Sequence, residues 1–177
     1  MCGRFLTEQD VEFDAILALA NAGGFKYGEV FPSHVVPVLT GADGAAMMTW
    51  GFPNFAPNRP SLINARSETA ATTCTFRDAF ARRRCLVPAT GYYEWQDTGA
   101  KRKTKYEFAL LDRRLLFMAG IFTERGEFAI LTRGAVPEFA AIHDRMPVII
   151  PRERHEDWLR DVADISDCVT ALEYAKV

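Results

Sequence analysis

Long apolar runs are absent from this 177-residue sequence, and no stretch approaches the roughly 20 residues that a membrane-spanning helix needs. The segment from Met1 to Glu8 has neither a basic region followed by an apolar one nor a signal-peptide cleavage site. We therefore expect a protein without membrane association that resides in the cytoplasm, and on the nucleoid if the source is bacterial.

Cysteine and histidine are scarce. The four cysteines form no CxxC pair, and none of the three histidines stands at zinc-ligand spacing from them. The usual zinc-site patterns are therefore excluded, and we expect neither a metal nor another cofactor. In a reducing cytoplasm, Cys74, Cys85 and Cys168 are expected to be buried free thiols.

The charge balance gives no strong indication of a nucleic-acid partner. A net charge of −2 and a pI near 5.9 count against DNA binding. Basic residues nevertheless cluster at 82–84 and 101–105, and arginine, which is far more frequent than lysine, suits bidentate contacts with phosphate. Each cluster alone is better explained as a solvated surface, so charge permits DNA binding without arguing for it.

The hydrophobic pattern predicts more strands than helices. Helices are expected after Asp10, Thr75, Pro137 and Pro151, and extended runs at 35–39, 45–50, 61–66, 85–87, 106–111, 115–122, 127–132 and 146–150. Pro88 and Gly91 are expected to break the chain, and residues 160–177 are weakly patterned. Because few strand pairs are joined by a crossover helix, we predict one α+β domain over 1–177. Its β-sheets should be curved, mostly antiparallel and barrel-like, with flanking helices.

Cys2 is the first candidate for chemistry. A small second residue normally permits removal of Met1, which leaves Cys2 with a free α-amine beside its thiol. An α-amine titrates near 7.7–8.0 against about 10.4 for lysine, so roughly a tenth of it is neutral at pH 7. A neutral amine attacks an aldehyde to form an imine, and the thiol then closes a five-membered thiazolidine ring. Taken alone, a cysteine at this position is usually incidental.

The second candidate is Asn64 with Arg66, directly after an apolar run. The Asn64 amide can hydrogen-bond a sugar while Arg66 binds phosphate. Alternatively, Asn64 fixes a turn through its own backbone, and Arg66 pairs with Glu68.

Glu94 and His143 are the remaining candidates. Glu94 stands among three aromatic residues, and an apolar environment would raise its pKa enough for proton transfer near neutral pH. Judged by spacing alone, a glutamate between aromatic residues more often lies on the solvent-exposed face of an edge strand. His143 is expected in a loop as an acid–base residue, with Arg145 as a phosphate ligand. Alternatively, Arg145 pairs with Asp144, and His143 caps a helix end.

The order of these motifs carries more information than any one of them. Together they closely resemble the successive motifs of the SRAP (SOS-response-associated peptidase) family of abasic-site processing proteins, from Met1 to about Leu159. The matching motifs are Met1–Phe5, Trp50–Phe52, Ile63–Thr69, Arg84–Ala89, Gly91–Trp95 and Ile142–Pro147.

The resemblance implies a single mixed domain that acts, as a monomer, on abasic sites in single-stranded DNA or at junctions with duplex. The catalytic residues that it implies are Cys2, Asn64, Glu94 and His143. The DNA-binding residues that it implies are Gly3, Arg4, Phe55, Arg66 and Arg145. The arginines would fix the position of the DNA without reading its sequence.

The implied reaction agrees with the chemistry of the residues. Glu94 and His143 would shuttle the proton that opens the sugar ring, while Asn64 would hold the sugar in line with the nucleophile. The product would be a DNA–protein crosslink that shields the lesion. Weak lyase activity through the imine, and autocatalytic removal of Met1, are also expected.

The sequence departs from the family pattern in the loop that follows Trp50-Gly51. Relatives often carry several aromatic residues there, whereas stacking would fall to Phe55 alone in this chain. The segment 30–34 is also a looser match. We therefore expect modest affinity for DNA.

Two other functions stay open. A cysteine hydrolase would pair a Cys2 thiolate with a His143 imidazolium and would act on peptides. A single-stranded DNA-binding module would cap the lesion without a covalent bond. Acetylation of the α-amine should spare the first activity, and Cys2→Ala should spare the second.

Overall fold

A computed structural model describes residues 2–41, 44–54, 58–160 and 172–177. Its strands are β1 (Phe5–Thr7), β2 (Gly28–Val30), β3 (Val35–Thr40), β4 (Gly44–Trp50), β5 (Asn64–Arg66), β6 (Arg84–Ala89), β7 (Gly91–Gln96), β8 (Thr104–Leu110), β9 (Leu116–Phe122), β10 (Glu127–Gly134), β11 (Arg145–Pro147) and β12 (Leu172–Lys176). Its α-helices are α1 (Val11–Leu19), α2 (Ser67–Ala70), α3 (Arg77–Arg82), α4 (Pro137–Ala140) and α5 (His155–Leu159), with a 3-10 turn at Arg152–Arg154. The longest described helix has nine residues, so none of them is long enough to cross a membrane.

The strands form two sheets. The first has the order β12-β8-β7-β1-β2, and its pairings are antiparallel. In the second, β10, β4, β3, β6 and β9 pair in that order, and β9 pairs with β10 again, which closes a ring of strands. Within the described ranges, parallel pairing is confined to β10 with β4 and β5. The predicted α+β fold, with mostly antiparallel sheets and flanking helices, is confirmed.

Helix α1 begins where the sequence predicts. Asp10 caps it, because the Asp10 side chain accepts hydrogen bonds of 2.8 Å and 3.2 Å from the backbone amides of Glu12 and Phe13. The helix ends before Asn21, whose φ of 52° lies in the left-handed region that asparagine tolerates. Phe13 and its neighbours at helical spacing are buried, so α1 covers the ring of strands with its apolar face.

Two clusters of buried side chains form the core. One fills the space between the sheets and includes Phe5 and Tyr92 from the first sheet and Trp50 and Phe128 from the second. The other lies beneath the helices, around Trp158. Burial of a large apolar side chain contributes about 1.5–3 kcal/mol, so these aromatic residues hold the two sheets together. Cys2 is fully buried in the cluster between the sheets.

The expected break at Pro88 is wrong. Pro88 lies inside β6 opposite Phe117 of β9, and only Thr90 separates β6 from β7. The carbonyl of Phe117 accepts a hydrogen bond from the amide of Ile150 and therefore faces away from β6. A proline is tolerated there because the pairing with β9 requires no donor from that position.

The weakly patterned tail also contains regular structure. Strand β12 pairs with β8 along its whole length, from Leu172 opposite Leu110 to Lys176 opposite Tyr106. Its short, half-exposed sequence has little periodicity of its own, so the pairing depends on an edge that β8 offers. Residues 160–177 are therefore not uniformly irregular.

The cysteines differ in exposure. Cys85 is buried as predicted, whereas Cys74 is exposed in the turn between α2 and α3, contrary to the prediction. Turn residues carry backbone groups that need water, which keeps such segments at the surface. Cys168 lies outside the described residues.

Candidate active site

Cys2 lies in the segment just before β1, and Asn64 anchors it. The Nδ2 atom of Asn64 donates a 2.8 Å hydrogen bond to the Cys2 carbonyl oxygen. The Cys2 thiol lies 3.8 Å from the carbonyl oxygen of Arg4, which it approaches as a weak donor. The N-terminal segment is thus tied to β5, a strand of the other sheet.

The Cys2 thiol is held in its protonated form. Burial raises the pKa of this thiol well above its ordinary value, and the negative charge of Glu94 raises it further. A thiolate is therefore disfavoured at neutral pH. This environment counts against the cysteine hydrolase, which needs a thiolate–imidazolium pair.

Asn64 occupies a position on β5 opposite Ile130 of β10. Its amide nitrogen serves Cys2, not a local turn as the alternative interpretation had it. Its Oδ1 atom is buried and has no hydrogen-bond partner among the residues that the structure describes. A buried acceptor without a donor is costly, and here it lies next to the proposed nucleophile. Such an acceptor suits a donor group of a ligand.

Glu94 lies on β7 between β8 and β1 and is only 2% exposed, so it does not sit on the wet face of an edge strand. Residues two apart on a strand share a face, which places Glu94 beside Tyr92 and toward Cys2. Burial raises the pKa of Glu94 to about 7, and the charge of Asp144 also raises it. The carboxyl can therefore both donate and accept a proton near neutral pH.

His143 approaches Glu94 from the loop before β11. The distance between His143 Nε2 and Glu94 Oε2 is 3.9 Å. The other ring nitrogen, Nδ1, accepts a 3.0 Å hydrogen bond from the backbone amide of Arg145. Burial lowers the pKa of His143 and outweighs the opposite influence of Asp144, whose Oδ1 lies 2.8 Å from Nδ1. The Arg145 amide can only donate, so its bond to Nδ1 favours a neutral ring with the proton on Nε2, the side of Glu94, whereas the Asp144 contact favours a proton on Nδ1.

Gly3 and Arg4 continue from Cys2 toward the surface. The Arg4 guanidinium donates a 3.0 Å hydrogen bond to Glu29, and about one third of the side chain is exposed. It also stacks over Phe31 at 4.3 Å and over Trp95 at 5.0 Å from the ring centroids. Cation and aromatic planes thus meet on the outer face of the first sheet, close to the N-terminal segment.

The other two arginines differ from each other. Arg66 is exposed and makes no ion pair with the residues in the described ranges. Arg145 is only 14% exposed and binds Glu68 in a bidentate ion pair, with distances of 2.6 Å and 2.9 Å. Both alternative pairings are therefore wrong: Glu68 pairs with Arg145 instead of Arg66, and Asp144 approaches His143. The predicted stacking residue, Phe55, lies outside the described residues.

Tyr92 and Thr132 contribute to the site without having been singled out from the sequence. Burial raises the pKa of Tyr92 well above its ordinary value, with further contributions from Cys2 and Glu94. The two-residue spacing of Tyr92 and Glu94 on one strand was the available signal. Thr132 is fully buried and contacts Arg145. This contact depends on the pairing of β10 with β11 and could not be predicted from local sequence.

The arrangement supplies a buried thiol near the N-terminus, a proton donor and a proton acceptor. Cys2, Asn64, Glu94 and His143, which are separated by up to 141 positions in the sequence, are brought together by β1, β5, β7 and the loop before β11. Within the described ranges, no group of three or more His, Cys, Asp and Glu side chains is placed to hold a metal ion. Proton transfer beside a nucleophile is the chemistry that these residues support.

Comparisons with known proteins agree with the sequence motifs. The chain is similar to the abasic site processing protein YedK of Escherichia coli (strain K12), with 31% identity over 201 residues that cover 99% of this chain and 90% of that one. It is also similar to the abasic site processing protein YoqW of Bacillus subtilis (strain 168), with 34% identity over 181 residues that cover 90% of this chain and 80% of that one.

The fold is shared with solved structures. A crystal structure of a protein from Bacteroides thetaiotaomicron matches with a TM-score of 0.79 at 22% identity, covering 99% of this chain and 92% of that chain. The family model described as SOS response associated peptidase (SRAP) matches residues 1–176, and so includes the tail beyond Leu159. The chain belongs to the SRAP family.

Proposed function

We propose that this protein processes abasic sites in DNA by forming a covalent bond between Cys2 and the aldehyde of the opened sugar. Its relatives are named abasic site processing proteins. The observation that carries the proposal is the hydrogen bond from Asn64 to Cys2, which anchors the N-terminal segment within the electrostatic influence of the buried Glu94.

The first step is the opening of the closed sugar ring. The Glu94 carboxylate takes the proton of the anomeric hydroxyl, while Nε2–H of neutral His143 protonates the ring oxygen. Glu94 then returns its proton to Nε2, which lies 3.9 Å away, so both groups recover their starting states. The bond between the anomeric carbon and the ring oxygen breaks, and the aldehyde forms. The pKa of about 7 for Glu94 and the lowered pKa of His143 leave both groups in useful protonation states near neutral pH.

The second step requires the α-amine of Cys2 and thus the removal of Met1. The neutral amine adds to the aldehyde carbon, and the resulting carbinolamine loses water, with protonated Glu94 assisting the departure of the hydroxyl. An imine results. Asn64 contributes by fixing the Cys2 carbonyl, so that the adjacent nitrogen is held in one orientation.

The third step uses the thiol. The Cys2 sulfur adds to the imine carbon, and its proton passes to the nitrogen, so that a thiazolidine closes without any change in oxidation state. The raised pKa of the thiol keeps that proton available and leaves the first attack to the amine. The net reaction joins the aldehyde and the aminothiol and releases one water.

The imine gives a second outcome. Loss of a proton next to the imine carbon expels the 3′ phosphate by β-elimination and cuts the strand. Closure of the thiazolidine competes with this elimination because the sulfur belongs to the same residue as the nitrogen. We therefore expect weak lyase activity beside efficient crosslinking.

The substrate is an abasic site in single-stranded DNA or at a junction with duplex. A sugar stacked within an intact helix cannot reach Cys2, which lies in the core between the sheets. Because Glu68 engages the Arg145 guanidinium and Glu29 engages that of Arg4, we assign the first flanking phosphate to the exposed Arg66. Arg4 and Arg145 would bind further phosphates by exchanging these carboxylates for DNA. These contacts position the strand without selecting a sequence. One chain carries every group that the reaction needs, so a monomer suffices.

A denaturing gel with an abasic single-stranded oligonucleotide tests the proposal. The wild-type protein should give a shifted band that survives denaturant, and Cys2→Ala should not. Cys2→Ser keeps the amine but cannot form a thiazolidine, so its adduct should persist only after trapping with borohydride. Cys74→Ser, which alters an exposed thiol elsewhere, should react like the wild type. Absence of a shifted band for the wild type, or its persistence in Cys2→Ala, would overturn the proposal.

A further inference from the structure

The ion pair between Glu68 and Arg145 joins two segments of the site that are not paired with each other. Strand β5, which carries Asn64, pairs with one edge of β10, and β11 pairs with the other edge. Glu68 lies in α2, two residues after the end of β5, and Arg145 begins β11. The bidentate contact therefore bridges the end of β10 and spans 77 positions of the chain.

The Arg145 side chain is bound inward by more than this ion pair. Its Nη2 atom also donates a 2.6 Å hydrogen bond to the carbonyl of Thr132, a fully buried residue of β10. The hydrogen bond from Arg145 lowers the pKa of Glu68 to about 2, so this carboxylate stays charged at physiological pH. Bidentate arginine–carboxylate pairs of this kind fix geometry as well as charge.

The backbone of Arg145 contacts His143 in the loop before β11. Its amide donates to Nδ1 of His143, and a backbone amide can only donate. Displacement of Arg145 would remove this donor and leave Nδ1 beside the Asp144 carboxylate, 2.8 Å away, which favours a proton on Nδ1 instead of Nε2. Nε2–H is the side that lies 3.9 Å from the Glu94 carboxyl.

We propose that Glu68 is a positioning residue that fixes the His143 ring through Arg145. The inference rests on the proposed function for its effect on crosslinking. It also gives the Arg145 guanidinium a partner within the protein, beside the phosphate contact that the sequence suggests. Glu68 touches no reacting atom in this arrangement.

The test compares Glu68→Gln and Glu68→Asp with Glu12→Gln. Glu12 forms a second bidentate pair, with Arg152, on α1, which packs on the other core cluster, so it controls for the general loss of an ion pair. Glu68→Asp keeps the charge but shortens the side chain, which is the milder change. Three quantities are measured: the crosslinking rate, the noncovalent affinity for an oligonucleotide without a lesion, and the nitrogen-15 shifts of the histidine rings.

We expect both Glu68 variants to crosslink about tenfold more slowly, because catalytic groups lose much of their effect when displaced by an ångström. Their affinity for the intact oligonucleotide should stay within twofold of the wild type. The His143 signal, assigned with His143→Gln, should lose the pattern of a ring protonated on Nε2, whereas Glu12→Gln should keep it.

Two outcomes would overturn the inference. One is a His143 signal in both Glu68 variants that is unchanged from the wild type. The other is a marked gain in DNA affinity in Glu68→Gln, which would make Arg145 chiefly a phosphate ligand that Glu68 occupies. The ring signal is measured without DNA, so it tests the inference even if the wild-type protein forms no crosslink, a result that would refute the proposed function alone.

Discussion

The carbonyl oxygen of Cys2 accepts a 2.8 Å hydrogen bond from the side-chain amide of Asn64, a residue 62 positions away. The bond holds the backbone of Cys2 by its carbonyl and leaves its sulfur and, once Met1 is removed, its nitrogen for chemistry. Since a chain terminus is ordinarily mobile, such an anchor is what would orient an α-amine toward a bound aldehyde.

Replacement of Asn64 by alanine should separate this orienting role from stability. The lost hydrogen bond should cost about 1 kcal/mol in the free energy of unfolding. Crosslinking should slow by about tenfold to a hundredfold because the amine is no longer held in line. Thr90→Ala is the matched control, since it removes a side-chain hydrogen bond to the Leu6 carbonyl of β1, the strand that follows Cys2. Similar rates for the two variants would show that Asn64 does not orient the amine.

Glu94→Gln should slow crosslinking severalfold or more, because glutamine neither donates nor accepts the proton that opens the sugar. The wild-type rate should change with pH around 7, the pKa of Glu94, and this dependence should vanish in the variant. Noncovalent DNA affinity should be nearly unchanged. Rates that coincide across the whole pH range would remove Glu94 from the mechanism.

The same carboxyl should make stability depend on pH. Burial raises the pKa of Glu94 in the folded protein from 4.5 to about 7, so the folded state holds this proton more tightly than the unfolded chain. The stabilisation is complete below the unfolded pKa and is lost as pH rises through 7. Urea unfolding should therefore show Glu94→Gln gaining stability over the wild type between pH 5 and pH 8. A difference that does not change with pH would contradict the buried environment.

Arg66 should contribute to DNA affinity through charge. Arg66→Ala should weaken noncovalent binding to single-stranded DNA and reduce the salt dependence of log Kd by about 0.7, the value for one contact with a single strand. Arg125, exposed in the turn before β10 and thus at the opposite end of that strand from Arg66, provides a charge-matched control. If Arg125→Ala has the same effect, Arg66 contributes only to the overall charge.

Much of the fold could be predicted from local patterns. Asp10 and the apolar spacing of α1 predict that helix, and apolar runs bounded by turn residues predict β3, β4, β9 and β10, because these elements carry their signals in their own residues. Strand β12 could not be predicted in this way, since it depends on the free edge of β8. The predicted break at Pro88 failed for the same reason. Proline lacks a backbone N–H group, and only the paired strand β9 decides whether that group is needed.

The candidate site could also be predicted only in part. The motifs locate Asn64, Glu94 and His143, but the patterns do not show which charges pair. The sequence suggests an ion pair between Glu68 and Arg66, two residues away, whereas the partner of Glu68 is Arg145 on the other side of β10. Sequence proximity favours the first pairing, and strand order decides for the second. The face on which Glu94 lies also depends on β7 being an interior strand.

Intact-mass spectrometry of the crosslinked complex measures the central chemistry most directly. We expect the mass of the oligonucleotide plus the chain without Met1, less one water, with the modification confined to the N-terminal peptide that begins at Cys2. A covalent complex that retains Met1, or whose modification lies on another residue, would contradict the thiazolidine, because an amide-bound nitrogen cannot form the imine.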